Sequence, residues 1–486
     1  MADIDLRARA HEILQQAGFE PDFPQDALAE AQRAALATTP AGVTDLRDRL
    51  WSSIDNASSR DLDQLEWAER LGPNRARLAV AIADVDALAP AGGAIDRHAA
   101  VNTTSIYTGV ATFSMIPERL STDLTSLLED VDRLALVIEM EVHDDGAVLG
   151  ARVTRALVRN RARLAYGDVG AWLEGHGRPP GALGKDATLA EQLRLQREIA
   201  SWLRTRRRQN GALEFETTEV RPVSDGQRVT GLEQNQRNPA RDLIEDLMLT
   251  TNTAIAELCE TANLSWIRRI VRSPERWERI VALALNLGQQ LPATPNGPAL
   301  AAFLLSRRVT DPDHFADLSL AVVKLIGKGE YAVEHKGEDL EGHFGLAVGD
   351  YTHGTAPNRR YADLVMQRLL KSIVAGAPAP YSDTDLDAIA RRCTEREDEA
   401  RRVERKLSKI AAAAFLAPRV GEYFDAIVTG VSKKGTFARV LAPPVEGRVV
   451  RGEAGLDVGD HVRVRLIGAD PQQGYIDFAA AGGPRI

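Results

Sequence analysis

The sequence contains few cysteines, few aromatic residues and no long apolar runs. Two cysteines among 486 residues, with no CxxC spacing, exclude a disulfide framework and a cysteine-based zinc site. They favour a reducing, cytoplasmic setting. No stretch approaches the roughly eighteen consecutive apolar residues of a membrane-spanning helix. The N-terminus mixes acidic and basic residues around no apolar core, so we expect no secretory signal.

Charge, by contrast, is plentiful and unevenly distributed. The formal net charge of −9 argues against a nucleic-acid partner, because phosphate binding needs clustered cations. Yet only nine of the 60 basic residues are lysines, and the arginines cluster at 151–163 and 204–208. Arginine pairs with phosphate through two parallel hydrogen bonds. The alternative is a compositional bias that places arginines on solvated helix faces, and the sequence leaves both interpretations open.

Hydrophobic periodicity divides the chain into three parts and predicts an α+β fold. Residues 1–48 are predicted to be helical, with helices over 5–17 and 25–37 that form either a helix-turn-helix or a plain hairpin. Residues 49–418 mix strands and helices, which predicts one large mixed domain. Residues 419–486 contain five short strand-like runs, and their number and length suit a small OB-fold barrel.

The large domain alternates between two periods. A period of two predicts strands at 77–85, 134–142 and 147–158, with a hairpin turn before the third. A period near 3.6 then dominates and predicts long helices. Their ranges are 187–208, 242–263, 313–326, 359–375 and 384–414.

The sharpest local feature is an acidic loop. Asp55, Asp61 and Asp63 lie among Ser, Asn and Arg residues that predict irregular structure. Asp61 and Asp63 would share a face of an extended segment, because one residue separates them. Three converging carboxylates repel one another unless a hard cation lies between them, and Mg²⁺ prefers such oxygen ligands. The alternative is a solvated acidic loop or a set of helix N-caps.

A second feature is a proline-containing turn that delivers two arginines to the start of a predicted helix. These are Arg359 and Arg360. Cations at a helix N-terminus oppose the helix dipole, so they are a poor choice for stability. They suit an anion held between guanidinium groups and free backbone N–H groups. The alternative is a pair of solvated surface arginines.

Basic and aromatic side chains occur on the predicted barrel strands. OB-fold barrels commonly bind single-stranded nucleic acid through such residues on one face. The alternative is a barrel that serves only dimerisation or packing. The candidate residues are Phe437, Arg439, Arg448, Arg451 and Arg463.

Seven segments together resemble a known catalytic domain. They are IDNASSRDLDQ, AIADVDALAPAGGAIDRHAA, SIYTGVATFSMIPERLSTDLTSL, GALEF, LIEDLML, GHFGLAVGDYTHGTAPNRRYADL and EARRVERK. Their order is that of the RNB catalytic domain of ribonuclease II and ribonuclease R. The terminal barrel is similar to the ribosomal S-one type of OB domain that follows it in that family. The resemblance covers about 50 to 480, nearly the whole sequence.

The resemblance implies a processive hydrolase that uses Mg²⁺, or Mn²⁺ in its place. Such enzymes degrade single-stranded RNA from the 3′ end to nucleoside 5′-monophosphates. The family's acidic loop has four aspartates; Asp55, Asp61 and Asp63 match the first three, and Asp63 matches the most critical one. Gln64 holds the fourth position, and its amide can ligate a cation but adds no charge, so we expect weaker metal binding. Arg359 matches the arginine that neutralises charge on the scissile phosphate.

Further positions carry over from the same motifs. Tyr166 matches the aromatic residue that stacks on terminal nucleotides, and Glu404 matches an acidic residue near the active site. Glu245 lies in a matching motif, although helical spacing leaves open whether it or Asp246 faces the site. Arg360 is expected to contact RNA beside its neighbour. The implied partner is single-stranded RNA, with no membrane and no obligate protein partner.

The sequence also departs from the family pattern. The usual YTHFTSPIRRY is YTHGTAPNRRY here, which introduces Gly354, Ala356 and Asn358. The helical residues 1–48 are expected to replace the cold-shock domains that usually precede the catalytic domain. A competing hypothesis is therefore a catalytically degenerate RNA-binding protein of the same fold, and a weaker one is a metal nuclease that acts on DNA. Retention of the three aspartates together with Arg359 favours the enzyme.

Overall fold

The computed structural model describes residues 5–35, 42–216, 220–224, 229–234, 238–338, 342–432 and 435–481. Within these ranges the chain is a mixed α+β structure, as predicted. The helices are α1 Leu6–Gln16, α2 Gln25–Arg33, α3 Ala94–Asn102, α4 Tyr166–Leu173, α5 Gly181–Lys185, α6 Ala187–Gln209, α7 Pro239–Thr261, α8 Trp277–Asn286, α9 Gly297–Thr310, α10 Pro312–Ile326, α11 Tyr361–Ala375 and α12 Asp383–Leu416.

The strands include every strand predicted from the sequence. Those of the body are β1 Thr44–Asp45, β2 Trp51–Asp55, β3 Gln64–Gly72, β4 Arg75–Ala83, β5 Ile106–Tyr107, β6 Thr112–Phe113, β7 Asp132–His143, β8 Val148–Ala165, β9 Val220–Ser224, β10 Val229–Gln234, β11 Trp266–Ile270 and β12 Glu330–Glu334. Those of the C-terminal part are β13 Tyr423–Ser432, β14 Gly435–Val440, β15 Glu446–Arg451, β16 His461–Asp470 and β17 Tyr475–Ala480.

The main sheet has the strand order β1-β8-β2-β3-β4-β7. The 18-residue strand β8 pairs antiparallel with β7 over its first part and parallel with β2 near its end, so the pairings run in a ring. Helices α4, α6 and α7 pack against this sheet. The large apolar core includes Trp51, Ile54 and Leu78, all fully buried. This core fixes the ends of β2 and β3, and with them the acidic loop.

Two smaller bodies are built onto this sheet. Helices α8, α9 and α10 enclose an apolar cluster that contains Trp277, Phe303 and Phe315. The C-terminal strands form a closed barrel in the order β13-β14-β15-β17-β16, which confirms the predicted OB-type barrel. Along β16, Val462 and Val464 point into the barrel and the residues between them point outward, because strand side chains alternate. The domain boundaries at 48 and 418 stay predictions.

The N-terminal helices pack on the body. The buried face of α1 consists of Leu6, Ala10, Ile13 and Leu14, the face that periodicity predicts, and it lies against α12. Helix α2 packs on α3 and ends at Arg33, whereas the sequence predicts helix to residue 37. Residues 36 and 37 lie outside the described residues. No helix in the described part of the chain has the length and apolar character needed to span a membrane.

Candidate functional site

The acidic loop joins two neighbouring strands of the main sheet. Strand β2 ends at Asp55, and β3 begins at Gln64, directly after Asp63. Fully buried Ile54 and Leu65 anchor the two ends of the loop in the core. The segment between them is irregular, as the sequence predicts, and its aspartates therefore lie at a fixed edge of the sheet.

Asp63 is the most deeply buried aspartate of this loop, with 2% of its surface exposed. Its Oδ1 accepts a hydrogen bond from the backbone N–H of Asn358 at 3.1 Å, and its Oδ2 lies 3.3 Å from Nε of Arg359. Burial raises the pKa of Asp63 to about 7, although the positive charge of Arg359 opposes the shift. The negative charge of Asp61 raises it further. A carboxyl group in this state changes protonation near neutral pH, which suits acid–base chemistry.

Backbone hydrogen bonds hold the arginine turn against the segment that precedes β5. The N–H of Ser105 donates to the carbonyl of Arg359 at 2.9 Å, and the N–H of Tyr361 donates to the carbonyl of Thr103 at 2.8 Å. Helix α11 begins at Tyr361. The side chain of Arg359 faces Asp63 and is 47% exposed, so its guanidinium can reach an anion that arrives from solvent.

The residues of this turn that depart from the family pattern have definite places in the packing. At Gly354 an added Cβ would lie 2.7 Å from Cδ1 of Ile255, so a larger residue here would require the side chain of Ile255 to shift. The buried side chain of Asn358 accepts a hydrogen bond from the hydroxyl of Thr125 at 2.6 Å. The altered turn is therefore packed and hydrogen-bonded, and it still presents Arg359 to the acidic loop.

Tyr107, which sequence reasoning missed, connects Asp61 to Glu404. Its hydroxyl donates to Oδ2 of Asp61 at 3.0 Å, and its backbone N–H donates to Oε1 of Glu404 at 3.2 Å. Burial and the charge of Asp61 raise the pKa of Tyr107, so the phenol keeps its proton and remains a donor. The residue lies in a strand of only two residues, and the segment SIYTGVATFSMIPERLSTDLTSL that contains it carries the family resemblance only as a whole, with no predicted role for Tyr107.

Asp55 lies beside a second aromatic residue, Tyr166, at the start of α4. Oδ1 of Asp55 accepts a hydrogen bond from the hydroxyl of Ser59 at 2.8 Å. The guanidinium of Arg241 lies 4.7 Å from the ring centre of Tyr166 and donates to Oδ1 of Asn56 at 2.8 Å. Burial, followed by the negative charge of Asp55, raises the pKa of Tyr166. The predicted stacking residue is thus held next to the acidic loop by its own arginine.

Two buried polar residues follow Asp63 on β3. Gln64 is 7% exposed and Glu66 is fully buried, and as alternate residues of one strand they share a face. Within the described part of the chain, neither carboxyl oxygen of Glu66 has a hydrogen-bond partner other than the residue's own backbone amide. Burial, followed by the negative charge of Asp55, raises the pKa of Glu66 well above its usual range. Sequence reasoning missed this residue too.

Two further residues predicted to contact RNA are Arg360 and Glu245, and their surroundings differ. Nη2 of Arg360 pairs with Oδ1 of Asp363 at 2.7 Å, so this arginine braces the turn. In the LIEDLML motif Glu245 is exposed, whereas Asp246 is 2% exposed and forms ion pairs with two arginines of α6. Helical spacing left open which of these two residues faces the site. In the structure Asp246 is buried and ion-paired, and Glu245 is exposed.

Most arginines of the two clusters form ion pairs within the chain. The sequence left phosphate binding and solvated faces open, and the structure shows a third use. The ion pairs are Arg152–Glu139, Arg155–Asp84, Arg159–Asp132, Arg204–Asp246, Arg206–Asp145, Arg207–Asp246 and Arg208–Glu214. Arg161 and Arg163 donate instead to backbone carbonyls, and those of Arg163 belong to the acidic loop.

Three of the barrel residues predicted to bind nucleic acid, Phe437, Arg448 and Arg451, are at least partly exposed. Phe437 of β14 and Arg448 of β15 are direct cross-strand partners, so their side chains lie on one face. Arg448 and Arg451 are exposed, and Phe437 is partly exposed. An aromatic ring beside exposed guanidinium groups is the composition that binds single strands without sequence preference.

The other two predicted barrel residues have neighbours of their own. Nη2 of Arg439 donates to Oδ1 of Asp317 at 3.3 Å, and this contact docks the barrel on α10. The guanidinium of Arg463 lies 5.3 Å from the ring centre of Tyr423, which is 50% exposed. Arg439 therefore has a structural contact, whereas Arg463 stays on the surface.

The donor set of the loop fits a hard cation in part. Among the described residues, no group of three or more His, Cys, Asp or Glu side chains is arranged to hold a metal ion. Asp61 and Asp63 lie close enough for the charge of Asp61 to raise the pKa of Asp63. Burial also raises this pKa, and a divalent cation bound at the loop would favour the ionised carboxylates.

Comparisons with known proteins agree with this fold and site. Residues 43–376 match the RNB domain, and residues 422–481 match the RNase II-type exonuclease C-terminal S1 domain. Because the first match covers more than half of the chain, the chain belongs to the RNB domain family, with a C-terminal S1 domain of the RNase II type. This confirms the family resemblance carried by the motifs.

Individual relatives are more distant. Ribonuclease R 1 of Lactococcus lactis is 29% identical over 96% of this chain, which spans 60% of that relative's length. The structure of Mycoplasma genitalium RNase R in complex with ribose-methylated single-stranded RNA has a TM-score of 0.87 at 21% identity, with 98% of this chain and 78% of the other covered. Yeast Ssd1, described as a pseudonuclease, has a TM-score of 0.70 at 17% identity, with 94% and 57% covered. At these identities the structural matches define the fold alone.

Proposed function

We propose that this chain is a processive 3′-to-5′ exoribonuclease that hydrolyses single-stranded RNA to nucleoside 5′-monophosphates. The observation that carries the proposal is that two bonded groups, Asp61–Tyr107–Glu404 and Asp63–Arg359, meet at the acidic loop. Their members come from four separate segments of the chain. Family membership and relatives named ribonuclease R support the same reaction.

The proposal includes a divalent cation, Mg²⁺ or alternatively Mn²⁺. Asp55, Asp61 and Asp63 would hold it, and Gln64 would add an amide oxygen without charge. When bound, such a cation activates water and stabilises the attacking and leaving oxygens of an in-line displacement. The position of the three aspartates at one edge of the main sheet supports this assignment.

The protein's own residues have distinct roles in this mechanism. Arg359, half exposed and aimed at Asp63, stabilises the negative charge that develops on the scissile phosphate. Tyr107 fixes the orientation of Asp61 through its phenol and holds Glu404 through its backbone N–H. Asp63 is held in place by the backbone N–H of Asn358 and by Arg359, which fixes its carboxylate at the loop.

RNA is bound around this centre and on the barrel. Tyr166 stacks on a terminal base, which contributes roughly 1–3 kcal/mol per base and tolerates any sequence. Preference for RNA comes from contacts to the 2′-hydroxyl, to which exposed Glu245 can contribute. Arg360, Phe437, Arg439 and Arg451 complete the proposed RNA contacts, of which exposed Arg451 has the strongest structural support. We infer a cytoplasmic enzyme without an obligate protein partner, as the low cysteine content favours.

A degenerate RNA-binding protein is the second candidate. Gln64 removes one carboxylate from the loop, and the fold is also that of yeast Ssd1, a pseudonuclease by its description. Activity on DNA is a third possibility, since metal-assisted displacement is the same on either backbone.

Matched RNA and DNA single strands of one sequence separate the three candidates. Each strand is incubated with the full chain in Mg²⁺ and in EDTA, and the products are resolved by chromatography. We expect nucleoside 5′-monophosphates from RNA in Mg²⁺ only, with the DNA intact. RNA that stays intact while it shifts on a gel would indicate the binding protein, and equal degradation of both strands would indicate a nuclease that does not select RNA.

A further inference from the structure

The N-terminal segment, residues 5–23, is bonded to the chain just before the residues that hold the Arg359 turn. The link is Asn102, the last residue of α3, whose side chain is 6% exposed. Its Oδ1 accepts a hydrogen bond from the backbone N–H of Glu20 at 2.9 Å, and its Nδ2 donates to the backbone carbonyl of Glu20 at 2.8 Å. Nδ2 also lies 3.1 Å from Nε2 of His98. One buried amide therefore fixes the backbone of the N-terminal segment through both its donor and its acceptor.

The residue after Asn102 has a backbone conformation that its type rarely adopts. Thr103 has a φ of +58°, and this left-handed conformation is unfavourable for a β-branched residue. Its carbonyl accepts a hydrogen bond from the N–H of Tyr361, and the N–H of Ser105 donates to the carbonyl of Arg359. Strained residues persist where the surrounding structure determines them, and they cluster at functional sites. Here Asn102 precedes the strained residue, and the arginine turn binds it from the other side.

The same N-terminal segment packs behind Tyr107 and Glu404. The apolar face of α1 and Phe19 share one buried cluster with Ile106, which precedes Tyr107, and with Val403, which precedes Glu404. Helix α12, which carries Val403, contacts both α1 and β5. The segment therefore supports both partners of the hydrogen bond between the backbone N–H of Tyr107 and Glu404.

The turn after α1 is fixed to α12 as well. The guanidinium of Arg396 donates to the carbonyls of Ala17 and Gly18, at 3.1 and 2.7 Å. Gly18 has a φ of +79°, and a Cβ added there would lie 3.2 Å from Nη1 of Arg396. The N-terminal segment is thus held by directed hydrogen bonds at both Arg396 and Asn102, in addition to its apolar contacts.

We propose that Asn102 is a positioning residue of the active site, through which the N-terminal segment holds the Arg359 turn in place. The inference rests on the proposed exoribonuclease function. Asn102 acts through Thr103 and Ser105, so its loss would let the guanidinium of Arg359 move relative to Asp63. A misplacement of a catalytic group by about 1 Å can lower a rate on the order of 10²-fold.

Two measurements on the full chain test this inference. Asn102→Ala removes both hydrogen bonds to Glu20. With saturating enzyme in a single turnover, we expect the rate of RNA hydrolysis to fall at least about tenfold, while RNA affinity stays within about twofold. Hydrogen–deuterium exchange without RNA, followed by mass spectrometry, should be faster in the peptides that contain Ser105 and Tyr361, because their N–H groups bond across the arginine turn.

Gln192→Ala is the matched control. The side chain of Gln192 is 8% exposed, and it likewise accepts one backbone hydrogen bond, from Ala68, and donates another, to Leu50. These partners lie away from the ends of β2 and β3 that carry the acidic loop. We expect this variant to lose stability as Asn102→Ala does, yet to keep the original rate and the original exchange at Ser105 and Tyr361.

An unchanged rate in a folded Asn102→Ala variant would overturn the inference. An equal rate loss in Gln192→Ala would also overturn it, because a general loss of stability would then explain both. Should Asn102→Ala fail to fold, Asn102→Asp decides, since it keeps the size and the accepted bond but not the donated one. A slower rate with faster exchange at Ser105 supports the inference, and the original rate overturns it.

The exchange measurement needs no RNA, so it separates this inference from the proposed function. If the original chain leaves RNA intact but exchange at Ser105 and Tyr361 is faster in Asn102→Ala and not in Gln192→Ala, the positioning of the turn stands and the exoribonuclease fails. If the original chain degrades RNA and Asn102→Ala does so at the same rate, the positioning role fails and the exoribonuclease stands.

Discussion

The RNB body and the C-terminal barrel use charged side chains in different ways. In the body, seven arginines of the two arginine-rich segments form ion pairs, and Arg161 and Arg163 donate to backbone carbonyls. On the barrel, Arg448 and Arg451 are exposed. Arginine density in a sequence therefore does not locate an RNA surface. The exposure and the neighbours of each guanidinium are more informative, and both are tertiary properties.

The largest expected effect is the loss of folding stability at high pH that results from the burial of Asp63. An acid whose pKa rises from 3.8 unfolded to about 7 folded binds its proton more tightly in the folded state. Stability therefore falls as pH rises from about 4 to 7, by on the order of 4 kcal/mol in all. In EDTA, we expect Asp63→Asn to be more stable than the original chain at pH 8, with a much smaller difference at pH 5, in urea unfolding. Glu69→Gln is the control, and an equal gain at both pH values would contradict the burial of Asp63.

The next effect concerns Arg359, whose guanidinium is 47% exposed beside Asp63. Arg359→Ala removes the guanidinium aimed at the scissile phosphate, so we expect the rate of RNA hydrolysis to fall about 10²- to 10³-fold, or about 3–4 kcal/mol. Single-turnover kinetics with saturating enzyme measure this step. Arg402→Ala, which removes an exposed arginine paired with Glu399, should leave the rate unchanged. A loss confined to RNA affinity would show that Arg359 binds substrate without assisting the reaction.

A smaller effect is expected for an arginine that forms an ion pair with a buried aspartate of the body. Arg207→Ala leaves the buried Asp246 with Arg204 as its remaining partner. We expect the free energy of unfolding to fall by about 2 kcal/mol, below the 3–5 kcal/mol for a charge left wholly unpaired. RNA affinity should not change, because this guanidinium is not offered to solvent. Filter binding and urea unfolding on the same samples check both statements, and weaker RNA binding without loss of stability would reverse the assignment.

The smallest effect belongs to the barrel. Arg451→Ala should weaken binding of single-stranded RNA by less than about 1 kcal/mol and reduce the slope of log affinity against log salt by about 0.7, as for one phosphate contact. Stability should stay the same, because the side chain is exposed and outside the core. Arg439→Ala is an instructive comparison, since it breaks the contact with Asp317. An unchanged salt slope in Arg451→Ala would remove this residue from the RNA surface.

Local patterns in the sequence predicted much of the fold. The apolar positions of α1 repeat with the helical period, and exactly that face is buried against α12. Alternation of apolar and polar residues likewise predicted β7, β8 and the five barrel strands. These predictions succeed because burial of one face is encoded within a few residues.

The site was predicted only where a motif is continuous along the chain. The acidic loop and the Arg359 turn are such motifs. Tyr107 and Glu66 are not, because their significance comes from contacts or missing contacts with residues distant in the sequence or on neighbouring strands. The ion pairs of the arginine clusters could not be predicted for the same reason, since acidic partners such as Asp84 lie far away along the chain.

The most direct test of the central claim uses single-stranded RNA labelled at its 5′ end, incubated in Mg²⁺ with the original chain or with Asp63→Asn. We expect the original chain to give a ladder of labelled RNA fragments that ends in a short undegraded RNA. The ladder should be absent in EDTA and with the variant, while both proteins still bind the RNA. RNA that remains intact with the folded original chain in Mg²⁺, or that is degraded equally by Asp63→Asn, would contradict it.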